Sequence, residues 1–359
     1  MLESSLPVFE GPVCPLPLRH EEQIVIGHGS GGRMTHELIQ QIFMPAFHHP
    51  AVIGGNDSAV VGLPDAAQLQ GRLSISTDSH IVSPLFFPGG DIGRLAVCGT
   101  VNDISMAGAL PLYLTAGFIM EEGLPIATLQ RVVASMQAAA AEAGIEIIAG
   151  DTKVVEKGKA DGLFINTAGL GWIPAGRELG GQLARPGDIV FLSGPVGAHG
   201  IAVLIARGEL GFEADIQSDV APLNGLIQSL LTSAPHTHVL RDPTRGGLGT
   251  TLNEIATQSQ VGIWVEERSI PVLPAVQAAC EMLGFDPLYV ANEGKLIAIV
   301  PPTEADAAFA ALRSHPYGKD TVQIGQVKAD PAGRVLLKTL IGGTRILDML
   351  SGEMLPRIC

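Results

Sequence analysis

Four aspartates carry the first chemical signal. They stand in Asn56-Asp57-Ser58, Thr77-Asp78-Ser79, Asn102-Asp103-Ile104 and Gly150-Asp151-Thr152. Two follow apolar strand-like runs directly, and Asp57 sits at the mouth of another. Small polar neighbours suit a crowded site where carboxylates converge. Mg²⁺ takes oxygen ligands, commonly one or two carboxylates together with substrate phosphates. Each aspartate taken singly reads equally well as a turn or N-cap residue. Four in one half of the chain, with Lys153 two residues after the last, point instead to a phosphate site. Lys153 offers a point charge for phosphate oxygens; the alternative is an exposed strand lysine.

Other segments add to this. His28-Gly29-Ser30-Gly31-Gly32 precedes a helical pattern. It matches neither a Walker A loop nor G-x-G-x-x-G, yet a Gly-rich backbone before a helix can cradle an anion. Arg241-Asp242-Pro243-Thr244-Arg245-Gly246-Gly247 opens another helix, where two arginines and glycines make a good anion or oxyanion site. Asn292-Glu293-Gly294 interrupts an apolar run. Burial would raise the Glu293 pKa and suit it to proton transfer; a β-bulge with Glu293 turned outward is the other reading. Cys359 ends the chain in Pro356-Arg357-Ile358-Cys359; a prenylation box needs Cys four from the end, so this is not one.

The elements that must position these residues follow from periodicity and turn chemistry. Helices are expected at 34–47, 91–108 and 126–143, with strands at 51–63, 72–82, 111–120, 145–155 and 162–173. Pro174 to Pro186 holds glycines and no periodicity, and marks a domain boundary. Beyond it, strands are expected at 187–193, 261–266, 288–300, 321–328 and 334–347. Helices are expected at 197–209, 222–233, 246–258, 273–283 and 303–314. Strands and helices mix without strict βαβ alternation, which favours two α+β domains. The expected division is an extension at 1–22, domains at 23–175 and 176–347, and a mobile tail at 348–359.

Composition sets the limits. The chain has 359 residues, 46% of them apolar and 16% charged, which excludes a disordered chain. A net charge of −14 argues against nucleic acid or an anionic membrane as the main partner. The longest charge-free stretches, 104–120, 189–206 and 220–240, are broken by Gly, Pro or polar residues, so none reads as a membrane span. Cys14, Cys98, Cys280 and Cys359 form no C-x-x-C pair and read as reduced thiols of a cytoplasmic protein.

Taken together, HGSGG, STDS, NDISMAGA, GDTKVV, RDPTRGG, ANEGK and the terminal PRIC resemble the HypE family of carbamoyl dehydratases in [NiFe]-hydrogenase maturation. The resemblance covers about residues 23–359, and its upstream motifs extend to the wider superfamily of aminoimidazole ribonucleotide synthetase (PurM) and selenophosphate synthetase. The first acidic motif reads Asn56-Asp57 where many superfamily members have two aspartates. The resemblance implies a two-domain PurM-like fold and a homodimer built through the N-terminal domains. It implies ATP held near Lys153, Gly31 and Gly32, and Mg²⁺ at Asp57, Asp78, Asp103 and Asp151. Asp103 is open to either a metal or a base role. A HypF-like carbamoyltransferase would load Cys359, and ATP would activate the carboxamide for dehydration to a thiocyanate. Glu293 is the candidate base, with Asp242 and Arg245 orienting the intermediate. HypC- and HypD-like partners would receive the cyanide on iron. The competing readings are a selenophosphate-synthetase-like phosphotransferase and a nucleotide-regulated scaffold without turnover. The first calls for Cys or Sec in the N-terminal Gly-rich loop, and HGSGG has none.

Overall fold

The computed structural model describes residues 22–30, 33–47, 49, 71–208, 214–350, 355 and 358–359. Gly31, Gly32, Asp57, the strand expected at 51–63 and nearly all of the extension lie outside them. Helix α1 (Arg33–Leu38) runs through a π-helical stretch, Ile39–Phe43, into α2 (Met44–Ala46), giving the helix expected at 34–47. Then come β1 (Gly71–His80), the hairpin β2 (Phe86–Phe87) and β3 (Gly90–Asp91), and α3 (Ile92–Met106). The unit ends with β4 (Leu110–Glu121), α4 (Ile126–Ala143), β5 (Glu146–Val155) and β6 (Leu163–Pro174).

These strands form a sheet in the order β1-β6-β4-β5. Only β4 and β5 pair in parallel, as their connection through α4 requires. Strand alternation sorts the side chains. Ser76, Asp78 and His80 of β1 face α3, while Leu73 and Ile75 face away. The Asp91 carboxylate caps α3, accepting from the N–H groups of Gly93 at 2.8 Å and Arg94 at 3.0 Å. Such a cap contributes about 0.5–2 kcal/mol. Helix α3 is buried on nearly every side because the sheet lies on one face and the second domain on the other. Asn102 seals that contact. Its amide donates to the Ala221 carbonyl at 3.1 Å and accepts from the Leu223 N–H at 2.7 Å.

The second domain contains β7 (Ile189–Leu192), α5 (Ala198–Ala206), α6 (Asn224–Ser233), β8 (Val239–Arg241) and α7 (Gly247–Ser259). It continues with β9 (Gly262–Glu266), α8 (Pro274–Leu283), β10 (Ile297–Val300) and α9 (Ala305–Ser314). Strands β11 (Val322–Lys328), β12 (Arg334–Lys338) and β13 (Thr344–Leu347) complete it. The sheet order is β13-β12-β9-β11-β7-β10-β8. Both faces are buried: Val190, Leu192, Ile297 and Ile299 pack with residues of α7, while Phe191, Ala298 and Val300 pack with residues of α6 and α9. That is why β7 and β10 are continuous apolar runs.

Two expectations are corrected. The strand expected at 334–347 is a hairpin, because Gly342 turns the chain at φ +87°. The strand expected at 288–300 begins only at Ile297. A 3₁₀ turn at Pro287–Tyr289 and a loop precede it, and the loop is fixed by the buried Asn292. The Asn292 amide donates to the carbonyls of Pro243 at 2.9 Å and Val290 at 3.1 Å, and accepts from the Gly197 N–H at 2.7 Å. Among the described residues, no helix is long and apolar enough to cross a membrane.

Candidate active site

The site lies where α3 and the end of β1 meet the loops before α7 and β10. Asp103 is the one exposed residue of α3, and it opens on this cleft. Its carboxylate accepts from the Ser76 hydroxyl at 2.8 Å. Surrounding protein raises its pKa and Asp78 adds to the rise, while the Ser76 hydrogen bond, Arg241 and Arg245 oppose it. Solvent at this exposed position limits the rise. Asp78 lies 3.6 Å from Nε2 of His80, which is buried with neither ring nitrogen hydrogen-bonded. Burial lowers the His80 pKa against the opposing pull of Asp78.

The second domain brings further acids. Burial, with Asp103 next, pushes the Asp242 carboxyl up to about 7. Glu293 is only 4% exposed. Burial, then Asp242 and Asp219, raises its pKa well above the ordinary carboxylate value. Of its two expected environments, the structure has the buried one, on a loop rather than in a strand. The loop is clamped from below. The Glu293 N–H donates to Asp219 at 3.1 Å, and Asp219 also pairs with Lys295 at 3.2 Å. A Cβ at Gly294 would come within 1.8 Å of the Asp219 carbonyl oxygen, so only glycine fits there. Arg241 is tied to Glu254, and Arg245 is exposed at the mouth.

Not all the expected residues meet here. Asp151 and Lys153 pair with each other, Lys153 Nζ lying 3.0 Å from Oδ1 and 2.9 Å from Oδ2. They sit on β5, beyond β6 and β4 from Asp78. Across the sheet Gly150, not Asp151, is level with Asp78 and on its face. Asp151 and Lys153 therefore face the opposite side. The expected convergence of all these carboxylates on Lys153 is not made within one chain. The period of two in a strand is the reason. A cavity of about 220 Å³ does lie beside Lys153, lined by Ile39, Phe43, Phe118, Ile147 and Asp151 among others. Its apolar walls and polar end suit a flat apolar group attached to an anion.

The chain's own end enters the cleft. The Ile81 N–H, next after β1, donates to a Cys359 terminal oxygen at 3.1 Å. Leu355 and Ile358 are buried in the core shared by the two domains. The described tail residues are thus packed inward. The terminal oxygen of Cys359 is held at Ile81, three residues after Asp78. His80, His199, Asp219 and Lys295 were not singled out by sequence, because their roles come from tertiary contacts. Lys295 alone carried a local signal, as the last residue of the ANEGK segment, but no role was read for it.

Two family models match the chain. The N-terminal domain of AIR synthase related proteins matches residues 55–173, and the C-terminal domain matches 185–338. The carbamoyl dehydratase HypE of Cupriavidus necator is 55% identical over 337 residues, covering 94% of this chain and 95% of that protein. A solved hydrogenase maturation protein HypE in complex with ATP is 51% identical with a TM-score of 0.88, covering 93% of this chain and 99% of that one. HypE in a HypE–HypF complex is 50% identical with a TM-score of 0.76, covering 87% and 99%. The match in sequence, in both domains and in fold has one conclusion: this chain belongs to the HypE family of carbamoyl dehydratases, within the AIR synthase related proteins.

Proposed function

We propose that this chain dehydrates a carboxamide carried on its own Cys359, with ATP as co-substrate. Membership of the family makes it a carbamoyl dehydratase of hydrogenase maturation. The observation that supports the finer reading is the Ile81–Cys359 hydrogen bond, which ties the chain's last residue to the end of the strand that carries Asp78. A carboxamide oxygen is a poor leaving group until phosphorylated. The γ-phosphoryl group passes to that oxygen, ADP departs, and loss of the phosphate with the amide protons leaves R–S–C≡N. Glu293, buried and raised in pKa, is the group suited to take a proton there. Asp242 and Arg245 orient the intermediate.

The relative solved with ATP supports ATP as the nucleotide. The apolar cavity beside Lys153 is the place for its base, and Lys153 for phosphate. Mg²⁺ fits Asp78 and Asp103: both offer hard oxygen donors, and Asp103 keeps a raised pKa among neighbouring carboxylates even with Arg241 and Arg245 nearby. Asp57 and Asp151 complete the expected ligand set. A bound Mg²⁺ screens phosphate charge. Leu73, Ile75, Leu110 and Ile119 leave an exposed apolar face on the N-terminal sheet, Ile75 at 75% exposure. Such a face supports a homodimer through this sheet. In such a dimer the edge strand β5 of one copy meets the edge strand β1 of the other, where the Asp151–Lys153 pair and the Asp78 and Asp103 carboxylates share a site. A HypF-like carbamoyltransferase loads the tail when it swings outward, and HypC- and HypD-like proteins receive the cyanide. Unpaired Cys98 and Cys280 in the core agree with a cytoplasmic setting.

The test is the mass of the C-terminal peptide in single turnover with a carbamoyl donor, a HypF-like partner and Mg-ATP. Conversion of a carboxamide to a thiocyanate on Cys359 is expected. Modification elsewhere with normal product overturns the reading.

A further inference from the structure

Among the buried groups that this chemistry does not use, His199 of α5 has contacts specific to the tail. It is fully buried, and its Nε2 lies 2.6 Å from the Ile358 carbonyl oxygen. Its Nδ1 lies 2.8 Å from the Ser218 hydroxyl. The Ile358 carbonyl can only accept, so in the neutral ring Nδ1 is the acceptor and takes the hydrogen of the Ser218 hydroxyl, which itself accepts from the Val220 N–H at 3.1 Å. Nε2 therefore carries the ring proton and donates it to Ile358. The edge of Phe87 packs on the ring, with centroids 5.4 Å apart at 87°. Burial lowers the His199 pKa, against the pull of Asp219 and of the Ile358 hydrogen bond, and keeps the ring neutral.

We infer that His199 is a positioning residue, a latch that holds the C-terminal tail inward by its hydrogen bond to the carbonyl next to the reacting cysteine. The Ile81 N–H fixes the chain one residue further on, so the Ile358 carbonyl and a terminal oxygen of Cys359 are held from two domains. The neighbouring Gly200 leaves room for Leu355: a Cβ there would stand 3.2 Å from its Cδ1. When the tail leaves, Nε2–H gives up the Ile358 carbonyl that it holds, fully buried, while the tail is in place. That loss favours the inward state and offsets the entropy of ordering the tail. The inference rests on Cys359 being the substrate, but the latch itself is testable without turnover.

The experiment is the rate of iodoacetamide alkylation of Cys359, read on the C-terminal peptide in a Cys14→Ser background. Cys98 and Cys280 report on the fold, since both are buried with thiols pushed up to about 12 and about 11. His199→Leu should raise the Cys359 rate roughly tenfold. His199→Gln, whose amide can reach the Nε2 position, should stay within about threefold of the unaltered protein. An unchanged rate in His199→Leu, or His199→Gln as fast as His199→Leu, overturns the latch. If His199→Leu exposes Cys98 or Cys280, Ser218→Ala decides: a faster Cys359 supports the latch and an unchanged one overturns it. In single turnover, the latch predicts slower dehydration in His199→Leu without slower carbamoyl loading. Both steps slowing together would indicate a merely structural role. Absence of dehydration in the unaltered protein overturns the substrate reading, and leaves the alkylation result standing.

Discussion

Asp78 and Lys153 of one chain face opposite sides of the same sheet, on strands separated by β6 and β4. The strands themselves are about 14 Å apart at ~4.8 Å per step. Both residues serve one ATP only if two copies share a site.

Complementation tests this. Asp78→Ala and Lys153→Ala should each lower Mg-ATP use without unfolding the chain. Mixed after dissociation and reassociation, the two inactive variants should recover roughly a quarter of normal activity, because half the dimers are mixed and each holds one intact site. No recovery, with mixed dimers present, places both residues in one chain's site or outside it.

The apolar outer face gives a second expectation. Ile75→Asp puts a charge on a face proposed to be covered by a second copy. Sedimentation should show a shift to monomer at micromolar concentration. A dimer as stable as before excludes this face as the interface.

Sequence made some of this legible and not the rest. The helix at 126–143 coincides with α4 because its composition is strongly helical and Gly144, at φ +68°, stops it. The helix expected at 91–108 is α3, which starts one residue later because Asp91 is its cap. The run from Leu288 to Val300 misleads, because apolar residues of a buried loop look like those of a buried strand. Only the Asn292 hydrogen bonds, which reach residues 49 and 95 positions away, separate the two. Asp151 and Lys153 share a strand face by their spacing, but which face is set by pairing with β4. His199 lies in an apolar helix with no local mark of function, and 159 positions separate it from Ile358.

The Glu293 loop has a steric test. Gly294→Ala drives a methyl into the Asp219 backbone. Denaturant unfolding should show a loss of about 1–3 kcal/mol, or more if the loop cannot shift. Activity should fall further than stability. Unchanged stability and activity would mean that the loop is loose and Glu293 is not held.

Asp242 gives a pH dependence in metal-free, nucleotide-free protein. Its carboxyl is raised from the ordinary 3.8 to about 7 by burial and by Asp103. Between those values the folded chain keeps a proton that the unfolded chain releases, so stability falls as pH rises through this window. Asp242→Asn should remove that part of the slope, on the order of 1–4 kcal/mol across the window. Parallel stability–pH curves for the two proteins contradict the raised carboxyl.

Glu293→Gln, followed by mass spectrometry of the Cys359 peptide with donor, partner and Mg-ATP, tests the central claim most directly. The side chain keeps its size and loses its basicity. The variant should bind ATP, accept the carboxamide on Cys359 and stop there, while the unaltered protein proceeds to the thiocyanate. Thiocyanate forming on Cys359 of the variant at the normal rate would contradict the role of Glu293 and the site built around it.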